Sequence, residues 1–225
     1  EWDSRKLSAI TREMVTRKHN QVGIEHGKYA ANRMLALVRT IFNKTIQADL
    51  WTGPNPAANV ERFREESRDR VLQPEEIGRF ITALMQDKDQ TARDCALILL
   101  LTGARKSNVT GMKWKQIDFK REAWTIPTTK SGKPHTVPLL PQAIALLKDR
   151  KKAASSDFVF PGPGKSGHIH QLRGVLKRTM KRAKLSDLRV HDLRRTMGTW
   201  LIASGASTFI TQKALAHETV EATSV

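Results

Sequence analysis

Four short stretches beyond residue 100 collect polar residues whose types suit one kind of chemistry: Thr102-Gly-Ala-Arg105, Thr129-Lys-Ser-Gly132, His191-Asp-Leu-Arg194 and Leu215-Ala-His217. Together they supply two arginines, one lysine and two histidines, with few carboxylates beside them. A phosphodiester under attack spreads negative charge over its nonbridging oxygens, and fixed cations stabilise that charge. Arginine grips two such oxygens with a planar fork and stays protonated at any physiological pH. Lysine is a point charge that can lose a proton, and histidine titrates near neutrality, so it can accept, donate or simply hydrogen-bond. Taken singly, each residue has a plainer reading. Arg105 could be a helix-capping cation, Lys130 a solvated hairpin residue, and Arg195 a surface charge beside Arg194. The set of five, in this order, is harder to explain that way.

Other features narrow the chemistry. His168-Ile-His170 invites a metal-site reading, but no third ligand has suitable spacing, so polarity at a helix start is the better explanation and no metal or other cofactor is expected. The single cysteine, Cys95, cannot form an internal disulfide, which fits a reducing, cytoplasmic setting. Lys and Arg number 39 against 22 Asp and Glu, a net charge of +17, with a pI near 10.4. That is the profile of a polyanion binder, and a basic face kept for solubility is its alternative. The densest strip, Arg173 to Arg195, also contains Lys177, Arg178, Lys181, Arg182, Lys184, Arg189 and Arg194. Hydrophobic residues make up 39% of the chain, too many for a disordered one. The longest uncharged apolar run, Cys95 to Thr102, is far too short to span a bilayer, and no membrane association is expected.

The elements that must position these residues can be read from periodicity. Trp2, Leu7, Ile10 and Met14, then Ala31, Met34, Leu35, Val38, Ile41, Phe42 and Ile46, follow a helical repeat until Trp51-Thr-Gly-Pro-Asn-Pro56 breaks it. This predicts a helical domain over 1–60, a charged linker over 61–70 and a second domain over 71–225. The second domain is expected to open with helices over Glu75–Gln86 and Thr91–Leu101, the latter apolar on every side and therefore central, followed by a short helix over Ser107–Met112. Short β-branched or aromatic runs at Ile117–Phe119, Ala123–Ile126 and Thr136–Leu139 predict a three-stranded antiparallel sheet. Helices are expected again over Gln142–Lys151, Ile169–Ala183, Leu193–Ala203 and Phe209–Leu215. The fold class is thus mainly α with a small antiparallel β-sheet.

Arg105 after an apolar helix, Lys130 between two strands, the His191-x-x-Arg194 pair and the later His217 together resemble the catalytic domain of the tyrosine recombinases, or phage integrases, over most of residues 70–217. The helical first domain, with Ala30-Ala-Asn-Arg33 and Asn55-Pro56, is similar to that family's core-binding domain. The resemblance implies that Arg105 and Arg194 clamp a scissile phosphate, Lys130 protonates the leaving 5′ oxygen, His191 assists proton transfer from the nucleophile, and His217 hydrogen-bonds a nonbridging oxygen. It implies DNA contacts from Lys28, Arg33, Lys106, Lys133, His135, Arg173, Lys177 and Arg195. The implied partner is double-stranded DNA, held by a homo-tetramer on paired sites, with accessory DNA-bending or excisionase proteins; the implied setting is the nucleoid of a bacterium.

Three positions depart from the family's pattern. The family's nucleophile is a tyrosine about nine residues past the last histidine, whereas the only tyrosine here is Tyr29. Counting from His217, the nucleophile is expected just beyond Val225, in a longer native chain; a start at Glu1 also suggests a piece of something longer. Asn108 stands where an acidic residue often follows the first arginine, and Ala216 replaces the glycine usual before His217. The implied function is a site-specific recombinase or integrase working through a 3′-phosphotyrosyl intermediate. The alternative is an inactive DNA-binding relative that occupies or regulates recombination sites.

Overall fold

The computed structural model describes residues 2, 4–128, 132–207, 211 and 215. Two compact units divide the chain, Glu1–Arg68 and Asp69–Val225. The first is built on α1 (Arg12–His26) and α2 (Lys28–Gln47), preceded by a 3₁₀ turn at Leu7–Ala9. Thr11 caps α1 by accepting a hydrogen bond from the Met14 amide at 3.3 Å. Gly27 alone joins the two helices, at φ +87°, a conformation costly for any residue with a Cβ. Val15, Leu35, Ala57 and Val60 form the core, with Trp2, Ile10 and Val38 packed against it. The apolar repeat that begins at Trp2 is therefore real as packing, but helix begins only at Arg12.

Of the stretch 61–70, expected to be a linker, the first part is bound to the first unit, and Arg70 pairs with Glu76 within the second. Asn32 is buried and donates to the Phe63 carbonyl at 2.8 Å and to Glu65 at 2.7 Å, while its own oxygen accepts from the Phe63 amide at 3.0 Å. The Phe63 ring stacks on His19 at 4.5 Å. Charge density suggested solvation, but one aromatic and one buried amide are enough to dock the segment.

The second unit comprises α3 (Pro74–Met85), α4 (Gln90–Thr102), α5 (Lys106–Thr110), strands β1 (Ile117–Asp118), β2 (Ala123–Ile126) and β3 (His135–Pro138), then α6 (Pro141–Lys152), α7 (Arg173–Ala183) and α8 (Val190–Ala203). The three strands are antiparallel in the order β1-β2-β3, with Trp124 opposite both Ile117 and Val137. Cys95, Ala96, Ile98, Leu99 and Leu100 of α4 are all buried, and each large apolar side chain contributes about 1.5–3 kcal/mol by leaving water. Asp94 on the same helix is buried between Arg93 at 2.8 Å and Arg150 at 2.7 Å, which supplies the charge partner its burial requires.

Two helix starts differ from expectation. The expected helix from Ile169 begins at Arg173, because Pro161 pairs with His168 in an isolated bridge and the Ile169 amide donates to the Phe160 carbonyl. The expected helix from Leu193 begins at Val190, because the Asp192 side chain turns back to accept from the Arg189 amide at 2.8 Å. Most of the Phe209–Leu215 stretch lies outside the described residues. Among the described residues, no helix is long and apolar enough to cross a membrane.

Candidate phosphate-binding site

The site is assembled around the end of α4. Gly103 closes that helix in the left-handed conformation, φ +60°, with its amide on the Leu99 carbonyl at 2.9 Å. The chain then reverses through Ala104 into Arg105, the residue before α5, whose carbonyl takes the amides of Asn108 and Val109. The half-buried Arg105 side chain leaves the α4 end here, while α8 supplies His191 and Arg194 one turn apart.

Arg194 is 5% exposed, yet no carboxylate pairs with it among the described residues. Its guanidinium donates from Nη1 to the Gly103 carbonyl and from Nη2 to the Leu215 carbonyl at 2.6 Å. Burial first, and the nearby Arg105 charge second, push its pKa down to about 10, so it remains a cation at neutral pH. Two of its five donors are used by these carbonyls, which leaves three for another acceptor. A buried cation without an anionic partner is costly. Among the described residues the protein supplies no such partner, so the remaining guanidinium donors are suited to an anion.

His191 is exposed at the start of α8. Desolvation of the ring, then the charges of Arg194, Arg195 and Arg105, push its pKa below the ordinary imidazole value, against the pull of Asp192. It is thus biased toward the neutral form, able to accept a proton. A groove of about 690 Å³ runs beside it, lined by Lys106, Gln171, Arg173, Lys177, Arg189 and His191 with Leu172, Leu176, Met180, Leu188 and Val190 at its base. Lys106 also reaches the His170 carbonyl at 3.3 Å.

The structure brings together Arg105, His191, Arg194, Lys106, Arg173 and Lys177. Arg195 is half-buried, with Nη1 unpartnered among the described residues. Lys133 is exposed and His135 half-buried on β3. Lys28 and Arg33 are exposed on α2 of the first unit. Lys130 and His217 lie outside the described residues. His168 and His170 face each other with ring centroids 4.4 Å apart, and no group of three metal-ligating side chains occurs among the described residues. Tyr29 donates its hydroxyl to the Glu66 carbonyl within the first unit.

The basic strip from Arg173 to Arg195 divides in space. Arg178 donates twice to Asp87 at 2.8 Å, and Arg182 joins it at 3.1 Å; the Asp87 side chain is fully buried and its pKa is held well below the usual carboxylate range, by the Arg178 hydrogen bonds above all. These two arginines are committed to tying α7 to the end of α3. Sequence reading passed over Arg189 and Gln171 as groove residues. It also passed over the main-chain carbonyls of Gly103 and Leu215, for which only the glycine gave a signal.

Comparison with known proteins decides the family. The model for the phage integrase family matches residues 70–225. The chain belongs to the phage integrase family. Among tyrosine recombinase relatives, the integrase of Escherichia phage P2 is 30% identical over 199 residues, 86% of this chain and 53% of that protein. Prophage integrase IntF of Escherichia coli K12 is 31% identical over 58% of this chain and 29% of its own length. The chain therefore spans about half or less of the length of these integrases. Solved structures of similar fold include the Tn1549 transposon integrase in complex with a circular intermediate DNA (TM-score 0.77, 17% identity, 96% of this chain and 80% of that one). A lambda integrase tetramer bound to a Holliday junction gives TM-score 0.77 at 19% identity, over 97% of this chain and 66% of that one.

Proposed function

We propose that this chain is the DNA-gripping and phosphate-activating part of a site-specific recombinase or integrase that cuts and rejoins duplex DNA through a 3′-phosphotyrosyl intermediate. The observation that carries this reading is Arg194, a buried cation held by two carbonyls with no carboxylate partner among the described residues, and close enough to Arg105 to feel its charge. Two guanidiniums at one place suit the nonbridging oxygens of a pentacovalent phosphate. His191, biased to its neutral form, takes the proton of the attacking hydroxyl. Lys130 protonates the leaving 5′ oxygen, and His217 bonds a nonbridging oxygen. The nucleophilic tyrosine is supplied from beyond Val225, and the phosphotyrosyl link stores the bond energy for religation.

Duplex phosphates lie along the groove, meeting Lys106, Arg173 and Lys177, with Arg195 on α8, Lys133 before β3, His135 on it, and Lys28 and Arg33 on the first unit completing the contacts. Backbone contacts of this kind position the duplex without reading its sequence. The working assembly is a homo-tetramer on paired sites in the bacterial nucleoid, joined by DNA-bending or excisionase partners. Similarity to integrases of phages and prophages supports this reading. The test is covalent capture: the native full-length protein is incubated with nicked duplexes carrying the junctions that flank its gene, then resolved on a denaturing gel. A protein–DNA adduct is expected. Tight duplex binding with no adduct on any junction would instead favour a relative that occupies sites without cutting them.

A further inference from the structure

Leu215 and Gly103 both place carbonyl oxygens on Arg194. They also touch each other. The Leu215 side chain is 4% exposed and sits against two glycines from different elements. A Cβ added at Gly103 would lie 2.5 Å from Leu215 Cδ2, and one at Gly198, on α8, would lie 3.0 Å from Leu215 Cδ1. Met197 completes the notch, 3.2 Å from the same hypothetical Gly103 atom. A side chain at Gly103 would force the leucine to shift, and the notch exists because the residue closing α4 and one on α8 both lack a side chain where they meet it.

We propose that Leu215 is a positioning residue for Arg194: its side chain keys into the Gly103–Met197–Gly198 notch, and that fit sets its carbonyl oxygen against the guanidinium. Arg194 then keeps both of its carbonyl acceptors among the described residues only while the Leu215 side chain is seated. Without the key, a buried cation loses one of its two acceptors, a state costly enough that the side chain turns out toward water. The device makes alignment of one arginine conditional on the seating of one leucine side chain 21 positions further along the chain. The positional claim stands on packing alone; its consequence for DNA cleavage rests on the function proposed above.

The test uses the full-length protein and three variants. Leu215→Ala empties the notch, Leu215→Met refills it with similar volume, and Leu147→Ala truncates a fully buried leucine of α6 as a control for general destabilisation. Labelling with an arginine-specific dicarbonyl reagent, read by peptide mass spectrometry, reports whether Arg194 is covered. Leu215→Ala should raise Arg194 labelling by about tenfold, a local opening rather than global unfolding. Leu215→Met should restore protection, and Leu147→Ala should leave Arg194 protected. Single-turnover cleavage should fall with Leu215→Ala while duplex affinity stays near wild type. Arg194 remaining protected in Leu215→Ala, or exposed equally in Leu147→Ala, would overturn the proposal. Because labelling needs no DNA, failure of the cleavage reading alone would show as the expected rise in Arg194 labelling in Leu215→Ala with no adduct from any form.

Discussion

Arg194 and the pair Arg178 and Arg182 come from one basic strip, yet the fold treats them in opposite ways. Arg178 and Arg182 converge on Asp87, whose side chain is fully buried, while their own side chains stay 48% and 32% exposed. Arg194 is itself buried and meets only carbonyl oxygens among the described residues. In the first case the protein supplies the counter-charge, and the result is a clasp between α3 and α7. In the second no carboxylate pairs with the guanidinium among the described residues, and carbonyl oxygens hold it instead. Residue type is common to both, so partner chemistry is what separates a structural arginine from a functional one.

The contrast can be pressed by substitutions that keep charge and change geometry. Arg194→Lys retains a cation but loses the fork, and about a hundredfold loss of cleavage rate is expected in single-turnover assays, with duplex affinity little changed. Asp87→Asn should leave cleavage alone and lower stability by about 2 kcal/mol, seen as a drop in midpoint on thermal unfolding, because two arginines lose their charged partner. The Asp87 pKa is lowered in the fold, so its contribution is present above the pH where the unfolded carboxylate ionises, about 4, and fades as pH falls through the lower native value. The deficit of Asp87→Asn should therefore be largest at neutral pH and shrink in acid. Lys177→Ala, in the groove, should reduce the salt dependence of duplex binding by about one unit of log–log slope, measured by titration at several ionic strengths. The smallest effect concerns His191, whose depressed pKa should place the acidic limb of the cleavage profile below about 6.5, and Arg195→Gln should move that limb upward.

Much of this fold was legible because burial leaves a periodic trace. The run of Ala96 to Leu101, apolar on all sides, announced a central helix, and the short β-branched or aromatic runs around Trp124 announced a sheet. The helix carrying Arg194 was legible from Leu193 onward, but His191 was left outside it. The start of that helix was not legible, since it depends on Asp192 bonding backward to the Arg189 amide rather than on any apolar repeat. Nor could composition separate Arg178 and Arg182 from Lys177 and Arg173, because their assignment is made by a carboxylate some ninety positions away. The docking of Phe63 on His19 and Asn32 was hidden for the same reason, being a long-range contact within a charged segment. The carbonyl of Leu215 carries no sequence signal at all, since any residue has one.

The most direct measurement compares Arg194→Ala with Arg178→Ala in the native full-length protein, following single-turnover formation of the covalent DNA adduct alongside duplex affinity. If the unpaired arginine grips the scissile phosphate and the paired ones only fasten helices, Arg194→Ala loses about a thousandfold or more in rate at nearly unchanged affinity, while Arg178→Ala forms adduct at close to the wild-type rate. Equal losses in the two variants, or a fall in affinity matching the fall in rate for Arg194→Ala, would contradict the account.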